Sequence, residues 1–136
     1  MSGGEDFFDT NILLYLLSAD TAKADRAEAL LAEGGTVSVQ VLNEFVAVAS
    51  RKLRMSWSEI REALAQIRAV CSVEPISVET QDRALSVAER YGLSIYDALI
   101  IAAALLAKCK TLHSEDMQDG QVIERQLTIR NPFAAL

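Results

Sequence analysis

The chain has 136 residues, of which 51% are hydrophobic and 24% charged; that is enough for one domain to bury about two-thirds of its unfolded surface, and it excludes a disordered or fibrous protein. Thirteen basic against 19 acidic residues leave a formal net charge of −6, which taken alone argues against a nucleic-acid ligand, because phosphate contacts come from Lys and Arg. A solubilising acidic surface, or acids committed to a metal ion, would account for the same balance.

Cys71 and Cys109 stand far apart with no CxxC spacing and read as two buried, reduced thiols. The longest apolar run, residues 98–107, is about half of what a membrane crossing needs. Acidic Glu5 and Asp6 stand where a signal peptide would carry bases. A cytoplasmic protein with no membrane association is the expectation.

In chain order, residues 6–8 form a short strand that stops at Asp9-Thr10-Asn11, residues suited to turns and caps. Residues 12–17 read as a short buried helix. Residues 22–33 follow as an amphipathic helix with Thr21 as its cap and Gly34-Gly35 as its end. The β-branched run 36–39 suits a buried strand. Residues 41–53 make a helix with Leu42, Phe45, Val46, Ala49 and Leu53 on its core face. Ser56-Trp57-Ser58-Glu59 has the form of a capping box and opens a helix carrying Ile60, Leu64, Ile67 and Val70. Residues 73–76 form a strand that Pro75 places near an edge. Helix 77–91 is closed by Gly92, and Ser94 starts a strongly apolar helix through residue 107. Residues 110–113 form another strand, and 126–129 a final edge strand.

Strands alternating with helices imply a parallel sheet covered on both faces. The predicted fold is α/β: a three-layer α/β/α sandwich with a central, mostly parallel sheet, one domain over residues 1–136. Sites in such folds form at the carboxyl ends of the strands. Asp9 and Asp116 both follow predicted strands.

Four acids stand out by their settings: Asp9 in Phe-Phe-Asp-Thr-Asn-Ile-Leu, Glu44 in Val-Leu-Asn-Glu-Phe-Val, Asp97 in Ile-Tyr-Asp-Ala-Leu-Ile, and Asp116 in Leu-His-Ser-Glu-Asp-Met. A carboxylate inside a core-forming segment must be hydrogen-bonded, paired or bound to a metal. No Lys or Arg lies within three residues of any of the four. Each has an ordinary explanation too: an Asx-turn for Asp9, a rim position for Glu44, the first turn of a helix capped by Ser94 for Asp97, a solvated loop for Asp116. If the four converge, their repulsion calls for a divalent cation, and oxygen ligands suit Mg²⁺ or Mn²⁺. Such a site activates water for attack on a phosphodiester. Other chemistries lack their parts. His113, the single histidine, has no evident nucleophile beside it and reads as a packed or rim residue. A GxSxG elbow, a phosphate-binding P-loop and a GxGxxG turn are absent. A phosphoryl-transfer site with Asp9 as nucleophile would want a second acid two residues on, where Asn11 stands.

Asp9-Thr10-Asn11 after the first strand, Glu44 on the third helix, Asp97 opening the Tyr-Asp-Ala-Leu-Ile helix and Ser114-Glu115-Asp116 after a late strand together resemble the PIN-domain pattern, in particular the VapC-type toxins of type II toxin–antitoxin pairs. The resemblance covers essentially the whole chain. It implies an Mg²⁺- or Mn²⁺-dependent endoribonuclease with Asp9, Glu44, Asp97 and Asp116 as catalytic, metal-binding acids. Thr10, Asn11 and Ser114 would support Asp9 and the scissile phosphate. It further implies an RNA substrate such as tRNA, a small antitoxin partner and a homodimer. The alternative is a PIN scaffold that binds a partner without cleaving. Asp119 reads as a solvated loop residue outside the set. Arg51, Lys52 and Arg54 are either an RNA-facing patch or a solvated basic helix end.

Overall fold

In the computed structural model, which describes residues 5–136, twelve elements alternate along the chain: β1 (Asp6–Phe8), α1 (Thr10–Tyr15), α2 (Thr21–Ala32), β2 (Gly35–Ser38), α3 (Val39–Arg51), α4 (Trp57–Val70), β3 (Cys71–Glu74), α5 (Val78–Tyr91), α6 (Ile95–Leu106), β4 (Thr111–His113), β5 (Val122–Ile123) and β6 (Leu127–Arg130). Residues 1–4 of the domain expected from the sequence lie outside the described residues. The strands form one six-stranded sheet in the order β3-β2-β1-β4-β6-β5. All neighbours are parallel except β5 with β6. The expected α/β class with a mostly parallel central sheet is what the chain adopts.

Parallel strands covered by helices must be apolar on both faces, and all four residues of β2 are buried, as are Phe7 and Phe8 of β1. Helix α6 supplies the centre of the core: Ala98, Ile100, Ile101, Ala102, Ala103, Ala104 and Leu105 are all buried. Each large side chain so enclosed contributes about 1.5–3 kcal/mol through apolar burial. Gly35 is required by packing, because a methyl group in its place would run into the buried Phe8 ring.

The local chemistry of the helix ends follows the sequence closely. Ser56 and Glu59 form the expected capping box, Ser77 and Thr80 form another, and Ser94 caps α6. Gly92 closes α5 in the left-handed conformation at φ 67°. Four details differ. Helix α2 is capped by Asp20, whose carboxylate accepts from Lys23 N at 3.3 Å, not by Thr21. Gly34 alone turns the chain, at φ 82°, and Gly35 already belongs to β2. Leu53 lies beyond α3 and is 47% exposed. Strand β6 is not an edge: it pairs with β4 on one side and with the short β5 on the other, and β5 is the outer strand. A two-residue strand leaves too short a pattern to read from sequence. Strand β3 does lie at the opposite edge, but over Cys71–Glu74 and not 73–76, so that Pro75 follows the strand and breaks no ladder.

The order of the strands fixes where a crevice opens. The chain moves outward from β1 through β2 to β3, then crosses back through α5 and α6 to add β4 on the other side of β1. The reversal point between β1 and β4 is where adjacent connections diverge and leave a gap at the carboxyl ends.

Candidate active site at the β1–β4 reversal point

Asp9 is the first residue after β1, and its backbone N–H still donates to His113 O of β4 at 3.0 Å. That bond carries the strand pairing one residue further and holds Asp9 at the mouth of the gap. The carboxylate is only 5% exposed. It accepts from the fully buried Ser114 Oγ at 2.6 Å and from Thr10 N at 2.7 Å, with Asn11 Nδ2 at 3.5 Å. Asp9 thereby caps α1, so the Asx-type explanation describes part of its bonding. Burial pushes its pKa up to about 6; the bonds from Ser114 and Thr10 oppose the rise, and the charges of Glu44 and Asp97 add to it.

The other three acids arrive on separate elements. Ser38 ends β2 and caps α3, which climbs from the same end of the sheet; Glu44 lies in its second turn. Thr10 Oγ1 donates to Glu44 Oε1 at 2.9 Å, and Gln40 Nε2, one turn earlier, donates to Oε2 at 2.9 Å. Helix α6 runs back along the sheet toward β4, so its amino end, with Asp97 in the first turn, faces the same rim. Burial, then Glu44, then Asp116 raise the Asp97 pKa, against a lowering bond from Ser94. Asp116 is exposed in the loop after β4 and accepts from Asn11 Nδ2 at 3.1 Å.

The structure therefore brings the seven residues of the sequence pattern to one place, with Thr10 joining Asp9 to Glu44, Asn11 joining Asp9 to Asp116, and Ser114 fixing Asp9. Among the described residues none of the four acids is in an ion pair, and no three His, Cys, Asp or Glu side chains close on a common point at ligand distance. The acids are held apart by their neutral partners, and the neighbouring charges still add to the rise at Asp9 and Asp97. Asp97 and Asp116 line a cavity of about 190 Å³, and Asn11 and Asp116 line a second, of about 390 Å³, between α1 and the end of α3.

Asp119 stays outside this group, with Oδ1 accepting from Asn131 N at 2.9 Å. Arg51, Lys52 and Arg54 are exposed at the end of α3. His113 is a rim residue: Nε2 pairs with Asp6 Oδ1 at 3.1 Å and the ring stacks on Phe8 at 5.6 Å. Cys71 and Cys109 are free and buried, and burial pushes both thiols up to about 11, so neither is a thiolate nucleophile. No helix among the described residues is long and apolar enough to cross a membrane. Gln40 escapes sequence reading, although its position four residues before Glu44 on one helix face is the signal that would find it. Glu115, known from sequence only as the middle of Ser114-Glu115-Asp116, bonds Tyr15 and Lys23, whose partnership no local signal marks.

A mostly parallel sheet with carboxylates gathered where its strand order reverses defines a class, and residues 7–119 match the PIN domain: the chain belongs to the PIN-domain family. Solved structures that it resembles include proteins of toxin–antitoxin systems. A toxin–antitoxin complex from Klebsiella pneumoniae superimposes with a TM-score of 0.70 at 25% identity, covering 95% of this chain and 98% of that one. VapC20 of Mycobacterium tuberculosis, a toxin that cleaves the sarcin–ricin loop, gives a TM-score of 0.66 at 24% identity, over 82% of this chain and 90% of that one. VapBC2 from Rickettsia felis, solved with a DNA fragment from its promoter, shares the fold at a TM-score of 0.65 and 18% identity, over 93% and 98% of the two chains. No curated protein sequence matches the chain.

Proposed function

We propose that this chain is a metal-dependent endoribonuclease, the toxin of a toxin–antitoxin pair, acting as a single domain in the cytoplasm. One observation carries the reading: four carboxylates from four elements share one rim with no cation among the described residues to balance them, and one of them, Asp9, is buried. Family membership and the toxin relatives support it. An arrangement that raises carboxylate pKa values without neutralising them favours a divalent cation from outside.

The donor set fits Mg²⁺ or Mn²⁺, being entirely carboxylate oxygen. Asp9, Glu44, Asp97 and Asp116 would hold the ion. When bound, it supplies Lewis-acid polarisation of the phosphodiester and lowers the pKa of water. The chain's own residues do the positioning. Ser114 and Thr10 N fix the orientation of Asp9 and favour its ionised form against burial, since each donates to its carboxylate. Thr10 and Gln40 occupy both oxygens of Glu44 and keep it from swinging to solvent. Asn11 spans Asp9 and Asp116, setting the width of the gap in which a phosphate would sit. The substrate we assign is structured RNA such as tRNA, the partners a small antitoxin and a second copy of the chain.

Purified protein incubated with labelled tRNA should cleave it in Mg²⁺ or Mn²⁺ and stop on addition of excess chelator. Cleavage that persists in chelator would overturn the metal mechanism. Binding of the RNA without cleavage under any divalent ion would favour a scaffold instead.

A further inference from the structure

The loop after β4 offers two consecutive carboxylates, Glu115 and Asp116, and only one is available to the acidic rim. Glu115 turns away from it. Its Oε2 receives Lys23 Nζ at 2.7 Å and its Oε1 the Tyr15 hydroxyl, while Lys23 Nζ also donates to the Tyr15 oxygen at 3.0 Å. The side chains of Lys23 and Glu115 are 28% and 25% exposed, so the pair is partly buried. The ammonium lies 4.7 Å from the centre of the Tyr15 ring and 5.6 Å from that of Phe133, and the two rings meet edge to face at 4.7 Å. The backbone is tied as well: Glu115 N donates to Asn11 Oδ1 at 3.2 Å. Among the described residues this is the only ion pair made by the loop from Ser114 to Asp119.

We infer that Lys23 is a positioning residue: with Tyr15 it takes up the Glu115 carboxylate on the α1–α2 side, so that the 114–116 segment presents Asp116, and not its neighbour, to the acidic rim. The inference rests on the reading of that rim as a metal site. A carboxylate one residue from a ligand is a competitor, because a small rotation of the loop exchanges the two. Removing Lys23 frees Glu115 and lets the loop rotate. Second-sphere partners that orient ligands act at this magnitude, with losses of about 10- to 100-fold in metal affinity when they are changed.

The sign of the effect separates positioning from simple charge. Lys23→Met deletes a cation and leaves Glu115 unneutralised, so Coulomb attraction alone would tighten the binding of a divalent ion. Positioning requires the opposite. The experiment is calorimetric titration of Mn²⁺ into the full chain, with melting curves in parallel. Lys23→Met should weaken Mn²⁺ binding by about tenfold, and Lys23→Arg should retain most of the affinity. The double variant Lys23→Met/Glu115→Gln should recover it, because the competing carboxylate is gone. That double variant lacks the ion pair as fully as the single one, so a merely structural role predicts equally weak binding by both. Equal or tighter Mn²⁺ binding by Lys23→Met overturns the inference, as does failure of the double variant to recover. If the parent binds no Mn²⁺, or binds it regardless of Asp116→Asn, the metal reading itself falls and takes this one with it.

Discussion

At the amino ends of the strands charges are matched in the ordinary way, whereas at the carboxyl ends they are not. Lys110, just before β4, pairs with Glu5 at 3.3 Å, and Glu124, in the turn before β6, pairs with Arg83 at 2.7 Å. At the other end Asp9, Glu44, Asp97 and Asp116 have only neutral donors or one another, and burial, with the neighbouring acids adding to it, raises Asp9 and Asp97. Glu115 sharpens the contrast from within the same loop. Burial would raise it, yet the Lys23 and Tyr15 bonds and the Lys23 charge lower it on balance. The protein has cations to spend on acids, and spends none of them on the four. Local departure from the pairing rules is expected where a chain carries a functional or strained site.

The contrast can be broken most forcefully at Asp9. Asp9→Asn keeps the shape and removes the charge, and should lower kcat for RNA cleavage by at least about a thousandfold, roughly 4 kcal/mol of transition-state stabilisation. The same variant should melt higher than the parent in metal-free buffer. A variant that cleaves normally would show that the unmatched end is not the catalytic one.

The next effect is on pH. The folded-state pKa of Asp9, about 6, lies above the usual 3.8, so the protonated form favours folding. That contribution is complete below about pH 4 and is lost as pH rises through 6, with an upper bound of about 3 kcal/mol. Chemical denaturation of metal-free protein should therefore show stability from this end falling between pH 4 and 7, and Mn²⁺ should offset the fall at pH 7. A flat profile in the parent, matched by one in Asp9→Asn, would remove the electrostatic half of the contrast.

At the amino end, packing decides more than charge. Gly35→Ala drives a methyl into the Phe8 ring and should cost about 1–3 kcal/mol by overpacking, read as a lower denaturation midpoint with Mn²⁺ affinity unchanged. The smallest effect belongs to the exposed Lys110–Glu5 pair, with side chains 75% and 58% exposed. Lys110→Ala should change stability by no more than about 0.5 kcal/mol. A larger loss would mean that the matched end is not as ordinary as its geometry indicates.

Most of the architecture was legible because it rests on local chemistry. Capping serines at 56, 77 and 94, the closing Gly92 and the apolar run of α6 announce themselves within a few residues. The candidate acids were legible for a related reason: an unpaired carboxylate in an apolar segment conflicts with its surroundings in the sequence itself. What could not be read was partnership at long range. Nothing near Glu115 indicates that its cation stands on α2, 92 residues away in the chain, or that Gln40 and Thr10 would divide the two oxygens of Glu44. The outer strand of the sheet is hidden for the same reason, since whether residues 127–130 lie at the margin depends on a two-residue strand laid down just before them.

The pairing of β1 with β4 has one more consequence, for the order of synthesis. Those two strands are adjacent in space, yet residues 9 to 110 lie between them in the chain. A nascent chain that has made Asp9 and Glu44 has no crevice, because the wall opposite Asp9 has not yet been translated. Ser114, which fixes Asp9, and Asp116, which completes the rim, arrive together in the last quarter of the sequence. A product truncated before β4 therefore lacks Ser114 and Asp116 and cannot assemble the rim.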